Sequence, residues 1–341
     1  MKKRITGISA LIFVWVVFSV AAALAAAPDY AFFNGKTVEI IVPHGPGGGF
    51  DTYARMFAPY FKKHIPGINV VINNVTGAGG LRGRNQLWAS KPDGRTICLT
   101  TGSGMLFAQW SGIEGVKYDI SKLTWVGRVA FEEHVMATSG TKPFKSLDDL
   151  KNAGRAITLG FSGVGSDDYF ASLIMGKLLG LEIDPVTGYT GSREANLAAV
   201  KGEVDGVQVS VGSILPLFKS GDLKPIMVVG DTRSPEMPDV PTALELATSQ
   251  EAKDIAKALS YSFEIDRVIF APPGVPAERL AVLREAYQKT VNDPDFQKML
   301  EKNKRTINYL GGEKLEKLVN DIFSTEGLLA PKVRELRKIS K

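Results

Sequence analysis

The chain has 341 residues, 44% of them hydrophobic and 23% charged, enough for two ordinary domains with their own cores and too apolar for a disordered tail. Its formal net charge is +5, but three of those positive charges are Lys2, Lys3 and Arg4, and no acid precedes Asp29, so the rest of the chain carries only +2. So small a surplus gives no reason to expect nucleic acid as a partner.

The first residues read as a secretory signal peptide, placed at 1–26. Lys2 to Arg4 form the positive end, Ile5 to Ala23 the apolar run, and Ala23-Leu24-Ala25 the small-x-small site, with cleavage near Ala25 to Ala27. The rival is an uncleaved anchor helix, since about 20 apolar residues can span a bilayer. No cysteine follows the alanines to carry a lipid. The single cysteine, Cys98 in T-I-C-L-T, has no partner for an internal disulfide and reads as core.

Beyond the leader, short apolar runs alternate with amphipathic stretches, the pattern of an α/β fold with largely parallel sheets. Thr37 to Val42 reads as a buried strand, Asp51 to His64 as a helix, Val70 to Asn73 as a strand and Arg82 to Ser90 as a helix. Ile97 to Thr100 follows the K-P-D-G turn as a third strand. Trp125 to Thr138 is a long extended segment, after which the pattern restarts. Ser146 to Ala153 is a short helix opened by a serine, Ile157 to Phe161 a strand, Tyr169 to Leu179 and Glu194 to Lys201 helices, and Gly206 to Val211 and Pro225 to Val229 strands. A second extended crossing, Phe263 to Phe270, precedes the final helices. Two crossings imply that the chain leaves one domain, builds another and returns: domain 1 from 27–127 and 266–341, domain 2 from 128–265.

Glycine-rich loops recur at the ends of the expected strands: V-P-H-G-P-G-G-G-F-D at Val42 to Asp51, G-A-G-G at Gly77 to Gly80, S-G-V-G-S at Ser162 to Ser166 and T-G-Y-T-G at Thr187 to Gly191. A strand that runs through glycines into a helix leaves amides without intrahelical acceptors, at the positive end of the helix dipole, with no side chain to bar an anion. Asp51 then sits as N-cap or in the first turn, or else reaches the ligand. Loops of this kind often hold nothing; it is their recurrence that points to a crevice between two α/β domains.

The residues carrying these loops resemble a known family. V-E-I-I-V-P-H-G-P-G-G-G-F-D-T-Y-A-R, N-N-V-T-G-A-G-G-L-R-G, K-P-D-G-R-T-I-C-L-T and, later, Y-T-G-S-R-E-A-N-L-A-A-V-K-G-E-V-D are similar, in order, to motifs of the solute receptors of tripartite tricarboxylate transporters, the Bug family. The resemblance implies a two-domain periplasmic-binding-protein fold, type II-like, with a mainly parallel sheet in each domain and a ligand cleft between them. It implies a periplasmic receptor that closes on a small organic acid and delivers it to the membrane subunits of the transporter; a monomer is the default expectation. Backbone amides and water, rather than a dedicated arginine, would hold the carboxylate. Carried over residue by residue, the site is Pro46, Gly47, Gly48 and Asp51; Gly77, Ala78 and Gly79; Ser162, Gly163, Gly165 and Ser166; and Tyr189, Thr190 and Gly191.

Some positions depart from the family pattern. His44 and Gly45 stand where an aromatic and a proline are usual; His44 either bonds the ligand or packs without touching it. Asp167 and Asp168 are read as helix caps, against the alternative of a ligand carrying an amine. Arg82 and Arg84 are read as solvated, against charge-assisted bonds to a second carboxylate. Pro59 interrupts the first helix far from its binding end. The rival class is an enzyme, and it lacks machinery. The three histidines, His44, His64 and His134, have no metal-site spacing, and Gly160-Phe161-Ser162-Gly163-Val164 lacks the closing glycine of a nucleophile elbow. The first loop also lacks the Gly-Lys-Ser/Thr of a nucleotide-binding loop. No catalytic residue, cofactor or metal is therefore expected. A role in presenting the bound ligand to a sensor kinase is the remaining alternative.

Overall fold

The computed structural model describes residues 27–305 and 307–336, so the expected leader, 1–26, lies outside them. A single turn, α1 (Tyr30–Phe33), is capped by Asp29 and leads to β1 (Thr37–Val42). Next come α2 (Gly49–Lys63), β2 (Asn69–Asn74), α3 (Leu81–Trp88), β3 (Thr96–Thr100), α4 (Gly102–Ser111) and β4 (Thr124–Arg128). The chain then enters a second sheet through β5 (His134–Ser139), α5 (Leu147–Lys151), β6 (Ile157–Phe161), α6 (Asp167–Leu179), β7 (Ile183–Thr187), α7 (Ser192–Val200), β8 (Gly206–Ser210), α8 (Val211–Ser220) and β9 (Leu223–Val229). It returns by way of α9 (Ala243–Leu246) and α10 (Gln250–Phe263) to β10 (Val268–Ala271), α11 (Ala277–Val291), α12 (Pro294–Lys302), β11 (Leu310–Gly311), α13 (Gly312–Phe323) and α14 (Glu326–Leu336).

The first sheet has the order β11-β4-β10-β3-β1-β2 and the second β7-β6-β8-β5-β9. The expected parallel arrangement is present in β2-β1-β3 and in β7-β6-β8, and antiparallel strands complete both sheets. The reason is the double crossing. β4 runs up to the second lobe and β10 comes back down, so they pair antiparallel; β5 enters the second sheet against the direction of β8. The carboxyl ends of β1, β6 and β8 and the starts of β5 and β10 thus all face the gap between the sheets, where an open α/β sheet binds ligands.

β1 shows why the sheets are covered on both faces. Val38, Ile40 and Val42 point into one core with Phe57, Phe61 and Tyr287, while Ile41 points into another with Cys98 and Phe107. That second core is continuous across the lobes: Phe107 of α4 meets Phe170 of α6 edge-on at 6.1 Å, and α14 lies against α4, α6 and α10. α2 continues through Pro59, with Tyr53, Phe57 and Phe61 on its buried face.

The crossings are less extended than expected. Residues 129–133 separate β4 from β5, Phe263 ends α10 rather than beginning a strand, and Arg267 turns the chain into β10 with φ +44°. The expected strand ending at Val211 stops at Ser210, because Val211 opens α8. Among the described residues no helix is long and apolar enough to cross a membrane.

Candidate functional site

Helices α2, α6, α7 and α8 all begin at one cavity of about 50 Å³, lined by Gly48, Gly49, Ser166, Asp167, Ser192 and Ser210. Their N-cap residues, Gly48, Ser166, Gly191 and Ser210, make no side-chain cap bond. Elsewhere α5, α9, α10 and α12 are capped conventionally, by Ser146, Thr242, Ser249 and Asp293. Each helix start carries about half a positive charge. Some of it is already used: Gly212 N–H in α8 donates to Glu132 at 3.2 Å, and Tyr169 N–H in α6 to Asp168 at 3.1 Å. The openings of α2 and α7 face each other, with Gly48 beside the Ser192 hydroxyl.

Aromatic and charged side chains close the walls. His44 stacks on Phe50 at 4.3 Å and pairs through Nε2 with Thr100 Oγ1 at 3.0 Å. Burial, then Arg84, pushes its pKa down to about 3, so the ring is neutral. His134 stacks on Phe263 at 4.1 Å, and burial lowers its pKa as well. Arg267 lies over Tyr53 at 4.8 Å and Phe50 at 5.5 Å and donates to Glu132 and Ser210, each at 2.9 Å, and to Asp266. Burial alone would raise the pKa of Glu132; Arg267 and the Tyr53 hydroxyl outweigh it and keep the carboxylate ionised. Arg267, the one arginine among the described residues on the cavity wall, is therefore already engaged.

Two seams join the lobes beside this cavity. In G-A-G-G the backbone is left-handed at four successive positions, Gly77 (φ +127°), Ala78 (+50°), Gly79 (+62°) and Gly80 (+93°). A Cβ on Gly79 would stand 2.6 Å from the amide nitrogens of both Gly165 and Ser166, so only glycine permits this contact. Arg84 Nη1 donates to Gly165 O at 2.9 Å across the same seam. At the second seam Gly45 N–H donates to Thr190 O at 2.8 Å, and Gly191 lies against Gly45.

The expected site residues are thus distributed unequally. Gly48, Ser162 and Ser166 line the cavity. Ala78, Gly79, Gly163 and Gly165 form the first seam, with Gly77 leading into it, and Ala78, Ser162, Gly163 and Gly165 also border an outer pocket of about 540 Å³. Thr190 and Gly191 form the second seam, Tyr189 lays its ring on Gly160, and Pro46 and Gly47 are exposed, Gly47 under Arg193. Asp51 is a buried first-turn residue: its carboxylate accepts from Gly47 N–H at 2.8 Å, Arg55 Nε at 2.8 Å and Asn74 Nδ2 at 3.0 Å. Burial opposes ionisation there, but those bonds hold its pKa below the usual range.

Other cavity residues escaped the sequence reading: His134, Ser192, Ser210, Ser213, Asp266 and Arg267. Ser192 adjoins T-G-Y-T-G and was within reach; nothing in S-F-E-I-D-R-V marks Asp266 or Arg267. Two expectations are corrected. Arg84 is fully buried rather than solvated. Asp167 does not cap its own helix but accepts from Thr101 Oγ1 at 2.8 Å and Ser103 Oγ at 2.9 Å in the other lobe, while Asp168 does bond a first-turn amide. Among the described residues no group of three or more His, Cys, Asp or Glu is placed to hold a metal ion.

Two covered sheets that meet around uncapped helix starts define a two-lobed binding protein, and solved structures share that fold. The periplasmic binding protein BugD is 24% identical, with a TM-score of 0.71 over 89% of this chain and 97% of its own. MatC from Rhodopseudomonas palustris, with bound malate, is 23% identical, with a TM-score of 0.73 over 86% and 99%. Among curated sequences, BugT of Bordetella pertussis is 27% identical over 67% of this chain and 72% of its own. The family model for the tripartite tricarboxylate transporter family receptor matches residues 54–334, and the chain belongs to that family, one of receptors rather than enzymes.

Proposed function

We propose that the protein is a monomeric periplasmic solute receptor whose lobes, 27–127 with 266–341 and 128–265, close over a small organic acid and pass it to the membrane subunits of a tripartite transporter. The observation that carries this reading is the meeting of four helix N-termini without side-chain caps at one cavity. Gly48, Ser162 and Ser166 line the ligand space; Asp51 shapes the first loop by holding the Gly47 amide. Pro46 and Gly47 carry the chain over the rim, and Gly77 to Gly79, Gly163, Gly165 and Tyr189 to Gly191 form the closing edges. The malate of MatC and the adipate of a second R. palustris relative support an organic acid as the ligand class.

Thermal-shift screening and calorimetry of the leader-free protein against mono-, di- and tricarboxylates, aromatic acids and amino acids test the reading. A bound acid raises the melting temperature by mass action; a panel with no binder refutes it. Delivery is tested separately, by uptake of the identified ligand in cells with and without the membrane subunits.

A further inference from the structure

The cavity is electrically two-sided. Near Gly48, Gly49 and Ser192 it is bounded by the openings of α2 and α7, which favour an anion. Carboxylates line it as well, from two separate segments: Asp167 and Asp168 at the start of α6, and Asp266 just before β10. Asp167 is satisfied by Thr101 and Ser103. Asp266 is not. It is wholly buried, one oxygen is held by Arg267, and Oδ1 has no hydrogen-bond partner among the described residues. His134, only 5% exposed and 4.0 Å from the Asp167 carboxylate, likewise has an unpartnered Nδ1 on the cavity.

The cations nearby are committed. Arg267 serves Glu132, Ser210 and Asp266 together, and Arg84 faces the Gly165 carbonyl and the charge of Asp167. Among the described residues no basic side chain forms an ion pair with Asp168. A simple di- or tricarboxylate would bring further negative charge against these acids.

Building on the receptor reading above, we propose that the ligand is a compact zwitterion, an amino acid whose carboxylate meets the amides of α2 and α7 and whose ammonium group is received by Asp168 and Asp266. The cavity is small, about 50 Å³, which favours a compact ligand over a branched tricarboxylate. The titration behaviour agrees too. Burial, then Asp167, pushes Asp168 up to about 7, and burial pushes Asp266 to about 7 despite Arg267, with Asp167 and Glu132 adding to the rise. An ammonium group beside these acids favours their ionised forms, so binding releases protons and strengthens as pH rises through 7.

The test pairs each amine with its deaminated skeleton, glycine with acetate, L-alanine with propionate and L-aspartate with succinate, by calorimetry on the leader-free full chain. The amine of a pair is expected to bind at least about tenfold more tightly, with proton release near neutral pH measured in two buffers of different ionisation enthalpy. Asp168→Asn, checked for folding by its melting curve, is expected to abolish that preference, weakening the amine and, by removing a negative charge, strengthening the deaminated acid. Deaminated acids that bind as well as their amines overturn the zwitterion while leaving the receptor reading intact. So does a preference that survives in Asp168→Asn or lacks proton release. Failure of every acid in both sets overturns the compact zwitterion, and failure of the wider panel as well overturns the receptor reading.

Discussion

The buried guanidinium of Arg84, on α3 of the first lobe, donates through Nη1 to the carbonyl of Gly165 in the second lobe at 2.9 Å. Among the described residues its Nε and Nη2 have no hydrogen-bond partner, so this bond across the seam, with the nearby charge of Asp167, offsets its burial. Arg84→Met is expected to leave both lobes folded and to favour the open arrangement. A loss of about tenfold in ligand affinity, roughly 1.4 kcal/mol, is expected from calorimetry. Unchanged affinity would show that the seam adds nothing to closure.

Two glycines separate closure from ligand space. Gly79→Ala places a Cβ at φ +62° and 2.6 Å from two backbone nitrogens that cannot yield, so the lobes cannot meet and affinity drops by at least about tenfold. At Gly48 the backbone is ordinary, φ −74°, and a Cβ would find its nearest atoms at 3.4 and 3.5 Å. Gly48→Val is therefore expected to fold and close normally but to lose the ligand because the valine fills its space. Undiminished affinity in both variants would count against a grip made by backbone amides.

Glu132 ties the two crossings together. It accepts from Tyr53 and Arg267 of the first lobe and from Gly212 of the second. Glu132→Ala leaves the buried Arg267 without its carboxylate partner on the other crossing and should destabilise the protein by about 3–5 kcal/mol in urea unfolding. Glu132→Gln keeps the shape and part of the bonding, and is expected to lose less.

Asp205 ties the starts of β6 and β8 together in the second sheet, accepting from Arg155 at 2.5 and 2.8 Å and from Thr158 N–H and Oγ1, each at 3.0 Å. Burial resists its ionisation, but these bonds prevail and bring its pKa down to about 2. A folded-state value below the unfolded one means that the stabilisation is present above pH about 4 and is lost as pH falls toward 2. Asp205→Asn should flatten that limb of the stability-pH curve and cost about 2 kcal/mol at pH 7; a wild-type curve with no acid limb in this window would refute the assignment.

Cys98 lies within β3, fully buried, and burial pushes its thiol pKa up. A thiol reagent such as dithionitrobenzoate is expected to leave the native protein unmodified and to label one thiol per chain in denaturant. Rapid native labelling would place Cys98 outside the core.

Where local pattern decides, the sequence was enough. T-V-E-I-I-V and I-T-L-G-F are short apolar runs closed by turn residues, and β1 and β6 occupy those residues. The helices after the glycine loops began one or two residues earlier than expected, because Gly49 and Ser192 join the first turn. Hidden α8 and α10 show the limit: V-G-S-I-L-P-L-F carries Gly and Pro, yet its first turn is held by Glu132 from a distant crossing. Arg84 and Asp167 mislead for the same reason, since L-R-G-R-N reads as surface and S-D-D as a helix cap until another lobe covers them.

The sequence by itself determined the two α/β halves, the glycine loops at their strand ends and the family, because strand burial, glycine spacing and motif order are local properties of the chain. Only the tertiary structure decided which loops line the cavity and which seal its edge, and that Asp266, Arg267 and His134 stand in its wall. Those outcomes depend on the directions in which β4, β5 and β10 cross between sheets, set by packing between segments more than a hundred residues apart, as with Glu132 and Arg267 at 2.9 Å and a separation of 135 residues.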